Sequence, residues 1–158
     1  HNYLATNYFR VNIGRAPTAA YFAQEVSVPG IGNEALIQPT RLSTQLPLPG
    51  NLYTFEPMNL KFILDENMRG WKEIFEWIKL ISNLDKTSTI KHQDKFSNIE
   101  LFITNSSYKQ KFKFTFWNAF PVSISEIPFS ILSNDTTPVI ISAAFRYAYY
   151  EYTDLTSS

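Results

Sequence analysis

Residues Arg41–Leu84, RLSTQLPLPGNLYTFEPMNLKFILDENMRGWKEIFEWIKLISNL, decide how this chain is read. From Leu42 to Leu64 polar and apolar residues alternate with the two-residue period of a strand, interrupted at Pro49-Gly50. After Asp65 the period becomes that of a helix. The pattern predicts two long strands joined at a Pro-Gly turn and followed at once by an amphipathic helix. A strand pair of this length, polar on one side and apolar on the other, points to contact beyond its own domain, and the expected partner is another copy of the chain.

The helix follows from Trp71, Ile74, Phe75, Ile78 and Ile81, which fall at the i, i+3, i+4, i+7 spacing of one buried stripe. Asp65, Glu66 and Asn67 precede it and suit its free N–H groups, while Lys79 and Lys86 lie toward its negative end. These signals set its limits near Met68 and Leu84. Trp77, Leu80 and Leu84 widen the apolar surface, so the helix should be covered on more than one side. It either closes an open barrel end or also reaches a neighbouring subunit.

Outward from this stretch the alternation continues. Phe9, Val11 and Ile13 share one face near the start, and Ala19–Val28 supplies a second strand. Met58, Leu60, Phe62 and Leu64 lie opposite Asn59 and Lys61, and the pattern returns in Ile99, Leu101 and Ile103, and in Phe112, Phe114 and Phe116. Val122 and Ile124 alternate with Ser123 and Ser125. A long final strand puts Val139, Ile141, Ala143, Phe145, Tyr147 and Tyr149 on one side. Seven or eight strands and one substantial helix predict a mainly β fold, two packed antiparallel sheets in a sandwich or small barrel, with residues 1–158 forming a single domain.

At 158 residues and 44% hydrophobic content the chain is sized for one core that buries roughly 70% of its unfolded surface. Its 14 Lys plus Arg balance 14 Asp plus Glu, leaving no overall field that would hold DNA or an anionic membrane. The absence of cysteine excludes disulfides, thiolate metal sites and thiol catalysis, and fits assembly in a reducing cytoplasm. No apolar run approaches the roughly 18 residues of a membrane span and no signal-peptide pattern opens the chain, so a soluble, unsecreted protein without a membrane anchor is expected.

Candidate chemistry is sparse. Asp65 and Glu66 are adjacent carboxylates, but consecutive positions diverge at a helix start and capping accounts for them. His92 sits in a polar segment without a second internal histidine to complete a metal pair or triad. Asn105-Ser106-Ser107 and Asn134-Asp135-Thr136 match the glycosylation sequon, which carries weight only in secreted chains. Lys109, Lys111 and Lys113 form a basic stripe beside the phenylalanines, either a solubilising face or a surface for an acidic partner. None of the five glycines builds a phosphate loop. No catalytic residue, metal or cofactor is expected.

The order of elements resembles one family. Val26-Ser27-Val28-Pro29-Gly30-Ile31 is followed by Leu46-Pro47-Leu48-Pro49-Gly50, leading to Leu60-Lys61-Phe62-Ile63-Leu64-Asp65-Glu66-Asn67. Then come Ile74-Phe75-Glu76-Trp77-Ile78, Phe116-Trp117-Asn118-Ala119-Phe120-Pro121-Val122 and the aromatic run Ile140 to Tyr152. In this order and spacing, over most of the chain, they resemble the tail tube proteins of contractile-tailed bacteriophages.

That resemblance implies a structural, non-enzymatic subunit that joins five others in a ring, its long hairpin contributing to a continuous β-barrel around a lumen. Rings stack into a tube that holds the tape-measure protein, conducts double-stranded DNA during genome ejection, and meets sheath and baseplate proteins. Such a protein belongs to the virion tail and is assembled in the host cytoplasm. On this reading Leu42–Leu64 is the lumen hairpin, with Thr44, Leu46, Leu48, Gly50, Tyr53, Phe55, Leu60 and Phe62 at the lumen or subunit interface, and Trp71, Phe75 and Ile78 packing the helix. Either parity of the hairpin could face the channel. Pro47, Pro49 and Pro57 remove ladder donors from it. Two alternatives stay open: a tube-initiating baseplate protein of the same fold, and a monomeric ligand-binding β domain using Tyr147, Tyr149, Tyr150 and Tyr152.

Overall fold

The computed structural model describes residues 4, 7–39, 45–82, 95–107, 109–132 and 137–155, with 32–39 and 45–55 described by their backbone alone. Thr44, Leu84, Lys86, His92 and the Asn134-Asp135-Thr136 triplet lie outside the described residues. In chain order the elements are β1 (Phe9–Ile13), α1 (Pro17–Tyr21), β2 (Ala23–Val26), β3 (Ile31–Pro39), β4 (Gln45–Phe55), β5 (Met58–Ile63), α2 (Arg69–Ser82), β6 (Ser97–Thr104), β7 (Gln110–Ile124), β8 (Ile140–Arg146) and β9 (Tyr149–Asp154). Seven strands form one antiparallel sheet in the order β1-β6-β7-β8-β5-β2, with β9 also on β7, while β3 and β4 form a separate two-stranded ribbon.

The 15-residue β7 organises the sheet. Phe112–Trp117 pair with β9 and, over most of the same stretch, with β6, whereas Phe120–Ile124 pair with β8. Between the halves Asn118 adopts φ 53°, a left-handed conformation that asparagine tolerates, and its N–H donates to Asn98 Oδ1 at 3.0 Å. The sheet thereby divides into β1-β6-β7-β9 and β7-β8-β5-β2, whose inner residues meet in one core. Val11, Ile13, Ile99, Leu101 and Phe116 come from the first half; Met58, Leu60, Phe62, Ile141, Ala143 and Phe145 come from the second. Among the described residues the sheet is not closed: β1, β2 and β9 each pair on one side only.

Strict alternation in β5, with Met58, Leu60 and Phe62 buried between exposed Asn59 and Lys61, bears out the two-residue period there. The expected hairpin partner of β5 is wrong. β5 pairs with β2 and β8, and β4 runs unbroken through Pro49-Gly50 to pair with β3. Pro57 follows Glu56 between β4 and β5 and ends the ladder there. The final long strand is likewise divided, although β8 and β9 lie along one edge of β7 and Ala148 N–H, in the gap, still donates to Trp117 C=O at 2.9 Å.

Residues Ala19–Val28 were expected to be one strand, yet α1 occupies its start and only Ala23–Val26 pair. Pro17 opens α1, where its missing N–H costs nothing, and Ala19 and Ala20 are small enough to be buried. No local side chain caps this helix. Its cap comes from α2 instead: Thr18 N–H donates to Glu73 Oε2 at 3.0 Å and Thr18 Oγ1–H to Oε1 at 2.7 Å. α1 packs against β1, β5 and α2. It therefore links the β1 end of the sheet to β5 and to the second helix.

Helix α2 begins where Asp65 Oδ1 accepts from Arg69 N–H at 2.8 Å, the expected capping role. Its fully buried face is Gly70, Ile74 and Trp77, rotated from the expected stripe. Trp71, Ile78 and Ile81 pack at the margin of the core, but Phe75 is 39% exposed and stacks on Trp71 at 4.9 Å. The reason for the rotation is Gly70. A Cβ there would stand 2.8 Å from Phe62 Cε2 and 3.5 Å from Ala19 Cα, so only glycine lets α2 approach β5 and α1 this closely. Trp77 then reaches Phe145 at 5.9 Å and donates its indole N–H to Lys95 C=O at 2.8 Å.

Gly70→Ala should destabilise the protein by about 1–3 kcal/mol, because overpacking against the buried Phe62 ring outweighs about 1 kcal/mol of helix propensity. Urea denaturation checks this: the midpoint should fall with an unchanged slope, and a parental midpoint would mean that the ring yields. Glu73→Ala removes the distant cap of α1. It should cost about 1 kcal/mol and raise amide exchange in α1 before that in β5.

A candidate assembly surface at the hairpin

The ribbon β3–β4 pairs Ile31 with Phe55, Gly32 with Thr54 and Asn33 with Tyr53, then Ala35 with Pro49, Leu36 with Leu48, Ile37 with Pro47, Gln38 with Leu46 and Pro39 with Gln45. The register shifts by two residues between Asn33 and Ala35, and the extra residues of β4 fall at Gly50–Leu52. Pro49-Gly50 is therefore the site of a bulge inside a long strand, not a turn between two. With 9 and 11 residues at about 3.3 Å each, the strands span roughly 30–35 Å.

Stereochemistry places the prolines. Pro39, Pro47 and Pro49 all fall in alternate pairs, with the Leu36–Leu48 and Gln38–Leu46 pairs between them. Proline cannot donate, so the alternate pairs are the non-hydrogen-bonded ones and the ladder runs through the intervening pairs. The missing N–H groups then belong to the outer edges. Between Gln45 and Pro49 the outer edge of β4 keeps a donor only at Gln45, whereas β3 keeps donors at Ala35 and Ile37. The prolines leave the hairpin intact and blunt one edge more than the other.

The root of the hairpin is held by Tyr147, in the break between β8 and β9, and by Tyr150, at the start of β9. Tyr150 donates its hydroxyl to Pro29 C=O, just before β3, and Tyr147 donates to Glu56 C=O at 2.6 Å, just after β4. Both rings lie on the buried Phe116, at 5.0 Å for Tyr147 and 5.2 Å for Tyr150, and 5.9 Å from each other. Burial first, then Tyr150 and Glu56, pushes the Tyr147 hydroxyl up to about 12, so it remains a donor at ordinary pH.

The expected interface residues are thus divided. Leu46, Leu48, Gly50, Tyr53 and Phe55 do lie on the hairpin, in β4. Leu60 and Phe62 do not: both are fully buried in β5, because their alternation serves the subunit's own core. Tyr147 and Tyr150 hold the hairpin root, while Tyr149 and Tyr152 stay 47% and 70% exposed on β9. Ala35–Pro39 and the two anchoring tyrosines were missed as parts of this surface. The available signals were the turn-like Gln38-Pro39 ahead of a second proline-rich strand, and the break of alternation at Tyr150.

Little here resembles a reaction centre. Among the described residues no three His, Cys, Asp or Glu side chains gather as metal ligands, and no helix is long and apolar enough to cross a membrane. Asn105 serves a turn, its Oδ1 accepting from Ser107 N–H at 3.0 Å and Lys109 N–H at 2.9 Å. In the basic stripe, Lys113 meets Glu100 at 3.7 Å.

Comparison with known proteins agrees with this architecture. The chain is 26% identical over 157 residues to the tail tube terminator protein of Enterobacteria phage T4, covering 95% of this chain and 89% of that protein. It is similar in fold to the anti-feeding prophage tube-terminating cap, with 16% identity, TM-score 0.67, and 98% and 93% of the two chains covered. A chain of the PVC extracellular contractile injection system, in its extended sheath–tube complex, is similar in fold at 18% identity and TM-score 0.66, with 98% and 94% covered. The sequence profile of the phage tail tube protein matches residues 18–153. The chain belongs to the phage tail tube protein family, whose members are structural proteins and not enzymes.

Proposed function

We propose that this chain is a tail tube terminator: copies of it form a ring that ends the tube of a contractile tail, with β3–β4 as the intersubunit element around a lumen. The observation that carries this reading is the similarity to the T4 tail tube terminator along nearly the whole of both chains. Six copies per ring, as the family resemblance implies, would bring six hairpins together. A lone two-stranded ribbon is marginal in water, and lateral contact with neighbouring ribbons covers the edges that the subunit leaves open. The blunted outer edge of β4 makes that contact rely on β3 donors and side-chain packing near Pro47 and Pro49.

On this reading the ring contacts the last tube subunits and sheath, and baseplate proteins lie at the far end of the tube. Tape-measure protein occupies the lumen before double-stranded DNA passes through it. A net charge of +0 suits such a passage, since each fixed phosphate contact would strengthen binding and slow exit. The protein is assembled in the host cytoplasm and carried in the virion tail, and residues 1–158 act as one domain.

A second reading, a repeating tube subunit whose rings stack, is favoured by the likeness to a chain of the PVC sheath–tube complex. Light scattering with negative-stain imaging separates the two. A terminator gives single rings that do not lengthen at high concentration, a repeating subunit gives hollow tubes, and a persistent monomer in the presence of tube subunits contradicts both. Leu46→Asp and Leu48→Asp should each leave a folded subunit, within about 1 kcal/mol of the parent, that no longer forms rings. Unfolding of either variant would place those leucines in the subunit core instead.

A further inference from the structure

The hairpin shares no sheet with the body, so its direction is set where it leaves and re-enters, and both points are poor in backbone donors. Pro29 and Pro57 have no N–H, and a Cβ at Gly30 would meet nothing within 4 Å, so the peptide beside β3 is unconfined. The preceding strand makes its last backbone bond to the body at Ser27, whose N–H donates to Asn59 C=O at 3.4 Å. Without further restraint the ribbon would swivel on these root peptides.

We propose that Tyr147 and Tyr150 form a latch that fixes the angle of the hairpin to the body, and so act as positioning residues for ring assembly. This rests on the reading of β3–β4 as the intersubunit element. The donors are three residues apart on one short segment, and the acceptors, Pro29 C=O and Glu56 C=O, lie on opposite sides of the hairpin root. Two separated bonds resist rotation that one would allow. The donors are themselves fixed, because both rings pack on Phe116, which is fully buried, and Tyr150 also meets Phe114 edge-on at 6.3 Å. The latch therefore joins the buried core to a ribbon that shares no sheet with it. A ring closes only if every protomer presents its hairpin at the same angle, so a spread of angles in the free subunit reduces the fraction competent to assemble.

Tyr147→Phe and Tyr150→Phe keep the ring packing and remove only the hydroxyls. The chain has no cysteine, so spin labels at Gln38→Cys on β3 and Glu76→Cys on the exposed side of α2 report the angle, measured in dissociated subunits diluted with unlabelled protein. The parent should give a narrow distance distribution and each variant a broader one. Ring formation should need about fivefold more protein for each hydroxyl lost, with amide exchange in β5 and β6 unchanged. An unbroadened distribution in the double variant overturns the latch. Broadening without any change in assembly overturns its positioning role; if Leu46→Asp also still assembles, the hairpin reading falls with it. Loss of protection throughout β5 and β6 would make the phenols ordinary core supports and overturn the proposal.

Discussion

A two-stranded ribbon cannot satisfy its own outer backbone edges, and in this subunit the β3–β4 ribbon carries 20 residues outside the main sheet. That constraint orders the rest of the molecule. The body must hold such a ribbon at its root, and on the proposed function neighbouring copies cover its edges. Water satisfies the edges in isolation, while a neighbouring copy would satisfy them in a ring. Proline at three edge-facing positions limits the number of copies of the pairing pattern a stray strand could adopt.

The body meets its part through two tertiary contacts. Gly70 lets α2 lie against Phe62 and α1, and Glu73 on the same helix caps α1 at Thr18. Together they hold the two helices against each other and against β5. From the same core, Phe116 supports the tyrosines at the hairpin root, so packing beneath the sheet and the direction of the ribbon are mechanically linked. With a formal net charge of +0 the chain carries no strong overall field.

Much of this was legible in the residues. The alternation in β1, β5 and β6 marks their buried faces, the helical period marks α2, and the acidic residues before α2 mark its start; in β7 it marks Phe116 but fails at Val122, which is 44% exposed, and at Thr115, which is buried. What was not legible depended on distant partners. The bulge at Gly50–Leu52 looks locally like a turn, because Pro-Gly serves both, and only the register with β3 separates them. α1 has no local cap, its partner Glu73 lying 55 residues away. Phe75 fits the apolar stripe by spacing, yet the close approach at Gly70 turns the buried face away from it. The alternation of Leu60 and Phe62 shows that they are buried but not by which chain, so their place in the subunit core needed the fold.

The central claim is that the hairpin is the surface through which copies meet. Hydrogen exchange on free and ring-assembled protein tests it most directly. The account predicts that assembly protects the amides of 31–39 and 45–55, with protection stronger along β3 than along the proline-bearing part of β4, while β5 and β6 remain as slow as before. Protection confined to other surfaces, such as β9 or the exposed Phe129–Leu132 segment, with the hairpin still exchanging freely, would contradict it.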